Sequence, residues 1–210
     1  MKNIAVFGGT FNPFHKGHKK LITEASKAIG FDKIIIIPSK IPPHKDAECL
    51  ASEQDRIRMI KQSIEDNNIN CNEICISDIE LKRDGKSYSV ETLRELKKFY
   101  PDEEYRIHFI MGSDMLIYFK KWYEYKEILK LCTLVCLSRC DEDSKELETY
   151  ANELSGLGGK VMIVPVEPLE ISSTDIRLAI RNKDFEKLTC YLDEKVVKYI
   201  LERKLYIDGF

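Results

Sequence analysis

The apolar positions of this chain change period early. Ile4 to Phe7 is a continuous apolar run ending in Gly8 and Gly9, whereas Leu21, Ile22, Ala25, Ala28 and Ile29 recur at helical spacing. The pattern predicts strand, glycine turn and helix. Gly30 supplies a helix stop, and Lys33 to Ile37, with four isoleucines before Pro38, predicts a second strand that completes a βαβ unit. Strands so uniformly apolar suit a parallel sheet covered on both faces.

Further strands are expected at Glu73 to Ser77, Arg106 to Met111, Thr133 to Ser138 and Val161 to Val164. Helices are expected at about Ser52 to Glu65, Val90 to Phe99 and Trp122 to Lys130, with Ser144 to Leu154 a polar, solvated helix. The alternation implies an α/β fold, Rossmann-like and doubly wound around a mainly parallel sheet. From Ser173 the pattern turns all-helical, with helices to Ile180, from Asp184 to Leu188 and from Glu194 to Glu202. Residues 1–210 read as one domain in two parts, an α/β core over 1–170 and helices over 171–210, because 210 residues at 43% apolar fill one substantial core.

Charge narrows the choice of partners. The 33 basic and 35 acidic side chains nearly cancel, so no bulk positive field is present for binding nucleic acid, and no nucleic-acid partner is expected. No apolar stretch approaches the roughly 18 residues of a membrane span, and MKNIAVFGGT enters a strand without a signal-peptide core, which predicts a cytoplasmic protein with no membrane partner. Homo-oligomerisation is left open. The seven cysteines are odd in number and scattered, so free thiols are expected rather than disulfides. Cys132, Cys136 and Cys140 are regularly spaced, yet Leu131 to Leu137 reads as a buried strand on which Cys132 and Cys136 share a face by parity.

The chemistry concentrates where the first strand ends. In open α/β sheets ligands collect beyond the carboxyl ends of the strands, and the segment there is GGTFNPFHKGH, Gly8 to His18. Gly8 and Gly9 permit close backbone approach, Thr10 and Asn12 offer polar caps, Pro13 fixes the turn, and His15 and His18 stand at the start of the next helix, whose N-terminus suits a phosphate. The plainer alternatives are a tight βα turn with surface histidines, or a histidine metal pair. The segment is neither G-x-G-x-x-G nor a Walker loop. A second cluster, Ser172 to Arg177, places Ser172 three residues before Asp175 as a capping box, with Ser173, Thr174 and Arg177 at a helix start able either to cap it or to hold a polyphosphate.

Together, His15-x-Gly17-His18 and Ile171-Ser172-Ser173-Thr174-Asp175-Ile176-Arg177 resemble the paired signatures of the HxGH nucleotidyltransferases. The resemblance narrows to the nicotinate-nucleotide adenylyltransferases through Ile37 to Lys45 (IPSKIPPHK), Ser87 to Leu93 (SYSVETL), Ile110 to Asp114 (IMGSD) and Trp122 to Tyr125 (WYEY), so that nearly the whole chain is covered. It implies transfer of the adenylyl group of ATP to nicotinate mononucleotide, giving deamido-NAD and pyrophosphate, with magnesium accompanying ATP and no protein metal ligands. His18 and His15 are implied as catalytic residues. Gly8, Gly9, Thr10, Phe11, Ser172, Ser173, Thr174 and Arg177 join them in holding ATP. Asn12, Lys45, Ser89, Asp114, Trp122, Tyr123 and Arg139 are implied on the mononucleotide side, with Trp122 against the pyridine ring and backbone amides near Ser89 and Tyr123 on its carboxylate. Ser89 replaces the family's usual threonine, and Arg139 lacks the Pro-Gly that commonly follows it. The rival expectations are the same chemistry on another acceptor, such as nicotinamide mononucleotide or phosphopantetheine, and a module that senses nucleotides without turnover.

Overall fold

Six strands, β1 (Lys2–Gly9), β2 (Phe31–Pro38), β3 (Cys71–Ile76), β4 (Tyr105–Gly112), β5 (Thr133–Arg139) and β6 (Lys160–Val166), pair in parallel in the order β3, β2, β1, β4, β5, β6. The structure is a computed structural model and describes residues 1–41, 50–65, 69–139, 144–167 and 169–207. The helices are α1 (Lys16–Ile29), α2 (Glu53–Glu65), α3 (Ser89–Phe99), α4 (Ser113–Ile117), α5 (Tyr125–Leu131), α6 (Ser144–Gly156), α7 (Ser173–Arg181), α8 (Phe185–Tyr191) and α9 (Glu194–Glu202). Among the described residues, no helix is long and apolar enough to cross a membrane.

Both faces of the sheet are covered, which explains the uninterrupted apolar runs. Ile4 and Val6 of β1, Ile35 and Ile37 of β2, and Phe109 and Met111 of β4 pack on one face with Leu93 of α3, Ile128 of α5 and Leu154 of α6. The alternate residues Ala5, Phe7, Ile34, Ile36 and Ile110 pack on the other, against Ile22 and Ala25 of α1 and Ile60 of α2. A third cluster joins α7, α8 and α9 to Met59 of α2 through Ile176, Leu188 and Val196, so the C-terminal helices are docked on α2. Removing such side chains from water at about 25 cal/mol per Å² is the main force holding the layers together.

Two local expectations change. The polar stretch around α6 is amphipathic, since Leu147, Ala151 and Leu154 recur at helical spacing and are buried. The helix expected from Trp122 begins only at Tyr125: a 3-10 turn, Phe119–Lys121, comes first, Trp122 is extended at φ −72° and ψ 144°, and Glu124 is left-handed at φ 49°. The break lets the Trp122 ring pack at 5.9 Å edge-on to Phe109 and at 5.5 Å from Phe119, an attachment that a continuous helix starting at Trp122 would alter. The five described cysteines are free, and Cys132 and Cys136 lie in the same core cluster, with burial pushing both thiols up to about 12. Cys140 lies outside the described residues.

Candidate active site

The order of the strands reverses direction between β1 and β4, because β1 leads to β2 on one side and β4 leads to β5 on the other. Such a switch point opens a crevice at the carboxyl ends of the strands. A cleft of about 460 Å³ lies there, bounded by the Gly9 to His18 loop, Asp114 of α4, the segment after β6 and the start of α7. It brings together Gly9, Thr10, Phe11, Asn12, His15, His18, Asp114, Ser172, Ser173, Thr174 and Arg177 from the expected site.

The loop is shaped by close contacts among its own residues. Phe11 is buried with φ 49°, and a Cβ at Gly9 would stand 2.8 Å from its Cε1, so only glycine at position 9 lets this ring turn inward. At Gly8 an added Cβ would meet only Phe109 at 3.8 Å, an ordinary contact, so the protein itself does not demand that glycine. The Asn12–Pro13 peptide is cis. Gly17 answers to His15: a Cβ there would lie 3.0 Å from both Cε1 and Nδ1 of the imidazole.

The histidines cap α1 reciprocally. The backbone N–H of His18 donates to His15 Nδ1 at 3.3 Å, and the backbone N–H of His15 donates to His18 Nδ1 at 3.2 Å. The cap expected from Thr10 or Asn12 is thus supplied by His15. Because both Nδ1 atoms accept, each neutral ring carries its proton on Nε2, which fixes both tautomers at the N-terminus of the helix. Burial pushes the His15 imidazole down to about 4, so it stays neutral near pH 7. The rings stack at 3.7 Å, and Phe11 and Phe14 hold the His18 ring at 5.1 and 5.2 Å.

The second motif docks on the first. Ser172 caps α7 by accepting from the Asp175 N–H at 3.1 Å, while its hydroxyl donates to the Asp175 carboxylate at 2.5 Å; the reciprocal bond to the Ser172 backbone is replaced by this side-chain contact. Ser173 Oγ donates to the Pro13 carbonyl at 3.1 Å, and Arg177 Nη1 donates to the Asn12 carbonyl at 2.8 Å. Arg177 Nη2 also donates to Thr174 Oγ1 at 3.2 Å.

Residues unmarked by the motifs complete the frame. Arg56, 1% exposed, donates from Nη1 to the carbonyls of Thr10 at 2.8 Å and Ser39 at 2.7 Å, tying the ends of β1 and β2 together. The signal in sequence was an arginine at a core position, since Arg56, Met59, Ile60 and Ser63 follow one buried helical stripe. Lys20, Glu167 and Leu169 also line the cleft, and no motif flagged them.

Ser89, Trp122 and Tyr123 of the expected mononucleotide side are not part of this cleft lining. Ser89 opens α3, whose N-cap Tyr88 makes no side-chain cap bond. The Tyr88 ring is 4.7 Å from that of Tyr123, which is exposed beside the half-buried Trp122. Asp114, in the first turn of α4, is the expected mononucleotide residue besides Asn12 that borders the cleft. Lys45 and the side chain of Arg139 lie outside the described residues; the Arg139 backbone ends β5.

A family model described as cytidylyltransferase-like matches residues 6–179. A protein of Fusobacterium nucleatum named "Probable nicotinate-nucleotide adenylyltransferase" is 38% identical over 207 residues, covering 98% of this chain and 99% of that protein. One of the same name from Clostridium botulinum is 35% identical over 209 residues, covering 98% of each. Among solved structures, the Plasmodium falciparum nicotinic acid mononucleotide adenylyltransferase complexed with APC superposes with a TM-score of 0.78 at 19% identity, over 98% of each chain, and matches the fold described above. Full-length identity above 30%, on a chain that brings both sequence motifs around one cleft, places this protein in the cytidylyltransferase-like family and, within it, among the nicotinate-nucleotide adenylyltransferases.

Proposed function

We propose that the chain joins the adenylyl group of ATP to nicotinate mononucleotide, giving nicotinate adenine dinucleotide and pyrophosphate. The observation that carries this reading is the pair of imidazoles with Nε2–H donors, gathered with Arg177 and the start of α7 around one cleft. The relatives' names supply the acceptor.

In the reaction a 5′-phosphate oxygen of the mononucleotide attacks the α-phosphorus of ATP. The bond from that phosphorus to the bridging oxygen breaks, and its electrons leave on pyrophosphate. The nucleophile is already ionised at neutral pH, so the protein's work is alignment and charge stabilisation, and no protein nucleophile is needed. His18 donates to the α-phosphate as charge builds on it, His15 holds the triphosphate, and Arg177 neutralises the departing side. ATP enters as its magnesium complex. The ion would be carried mainly by phosphate oxygens and water, as suits one that dehydrates reluctantly. On the acceptor side, Trp122 stacks on the pyridine ring, the first turn of α3 at Ser89 and the Tyr123 backbone receive its carboxylate, and Asp114 accepts from ribose hydroxyls.

Pyrophosphate release from ATP and nicotinate mononucleotide, compared with nicotinamide mononucleotide and phosphopantetheine as acceptors, tests the reading. Release only with another acceptor would refute the choice of substrate, and ATP binding without release would favour a sensing module. His18→Ala should keep the fold and lower kcat by roughly two or more orders of magnitude, the scale of losing a transition-state donor. Turnover near that of the wild type would sink the assigned role.

A further inference from the structure

We propose that Tyr206, beyond the last helix, is a positioning residue for the ATP-binding loop and acts through Asn12. The proposal rests on the adenylyl-transfer reading. The Tyr206 hydroxyl donates to Asn12 Oδ1 at 2.8 Å across 194 residues of sequence, and the Ala51 N–H donates to the same oxygen at 3.0 Å. Two donors on one oxygen decide which way the Asn12 amide faces. The Asn12 backbone carbonyl is meanwhile taken by Arg177, the Pro13 carbonyl by Ser173 and the Thr10 carbonyl by Arg56. Carbonyl oxygens of the loop that would repel a triphosphate are thus bonded to protein donors, and Tyr206 fixes the side-chain oxygen of Asn12.

The tail is held in a backbone state that needs support from its surroundings. Lys204 and Tyr206 sit at φ 52° and 66°, in the left-handed region that side chains other than glycine adopt only when neighbours enforce it. Those neighbours include Asp55, which accepts from Tyr199 Oη at 2.7 Å and from Arg203 Nε at 3.4 Å, one residue from the Arg56 that grips Thr10. Burial raises the Tyr206 phenol well above its ordinary range, so it remains a donor at any working pH.

Tyr206→Phe removes the oxygen and keeps the ring. The single variant, Asn12→Ala and the double variant should be compared for kcat/KM in pyrophosphate release and for ATP Kd by calorimetry. Tyr206→Phe should lower kcat/KM roughly three- to tenfold, the scale of one neutral hydrogen bond, weaken ATP binding in the same direction, and leave Tm within a few degrees. In the Asn12→Ala background the same change should add nothing, because the route through Asn12 is already cut. An unchanged kcat/KM and Kd in Tyr206→Phe would overturn the proposal, as would an equal loss in both backgrounds, which marks a general structural role. Failure of the wild-type chain to release pyrophosphate would refute the functional reading instead, and the cycle read on ATP Kd would still decide the role of Tyr206.

Discussion

Replacing Gly17 by alanine separates the geometry of the histidine pair from the stability of its helix. The new Cβ would lie 3.0 Å from His15 Nδ1 and Cε1, whereas ordinary contacts begin at 3.4 Å, so the ring must retreat by about 0.4 Å. The His18 N–H to His15 Nδ1 bond is already 3.3 Å long, and the same displacement takes it to about 3.7 Å, beyond hydrogen-bonding reach. Losing this cap costs about 1 kcal/mol. Alanine in place of a helical glycine returns about 1 kcal/mol, so Tm should move by no more than a few degrees. The displaced imidazole has no such compensation. An error of 1 Å in an aligned group costs about a hundredfold, so a 0.4 Å shift propagated to its stacked partner should lower kcat by roughly tenfold. Steady-state pyrophosphate release at saturating ATP and mononucleotide, with Tm measured on the same samples, checks this. A fully active variant of unchanged Tm would refute the claim that Gly17 exists to seat His15.

Burial holds His15 and His108 down at about 4, with Arg106 adding to the effect at His108, against an ordinary value of 6.5. Between those values the unfolded chain binds two protons that the fold refuses, so both groups make stability fall as pH falls. Buried Glu80 acts in the opposite sense, because burial raises its carboxyl and the fold keeps a proton that the unfolded chain releases. Urea unfolding should therefore show stability falling as the pH is lowered from about 6.5 towards 4, with Glu80 reducing the slope. His108→Gln should flatten that slope, and a slope it leaves unchanged would refute the assignment. Trp122→Ala should raise the KM for the mononucleotide about tenfold and leave that for ATP nearly unaltered, while lost packing on Phe109 and Phe119 destabilises the fold by about 2 kcal/mol. Equal losses for both substrates, measured well below Tm, would count against ring stacking.

The elements most legible in sequence are those whose cause is local. The consecutive isoleucines of β2 announce a strand buried on both faces, and His15, Gly17 and His18 lie within one helical turn, so their spacing already contains their geometry. Ser172 and Asp175 likewise declare their cap. The break before α5 was not legible, because it comes from Trp122 packing on Phe109 of another strand rather than from a helix breaker. Nor was the role of Asn12: its polarity suggested a cap, while its oxygen is taken by Ala51 and Tyr206, far away along the chain.

This division explains why a nucleotide site built on a βα loop carries a helical C-terminal part at all. In the Gly9 to His15 loop, the carbonyls of Thr10, Asn12 and Pro13 are held by donors from α2 and α7, and the Asn12 side-chain oxygen by Tyr206 from beyond α9. Those suppliers share one apolar cluster, in which Met59 of α2 packs with Ile176, Leu188, Val196 and Ile200. Moving α9 would therefore disturb Arg56 through α2 and Tyr206 through the chain itself, two attachments to the same loop. A cavity opened in that cluster, as by Ile200→Ala, should cost about 2–5 kcal/mol and weaken ATP binding even in the population that remains folded, although Ile200 does not line the cleft. Calorimetry on folded protein well below its Tm decides the matter. ATP affinity equal to that of the wild type would mean that the loop holds its shape without the cluster behind it.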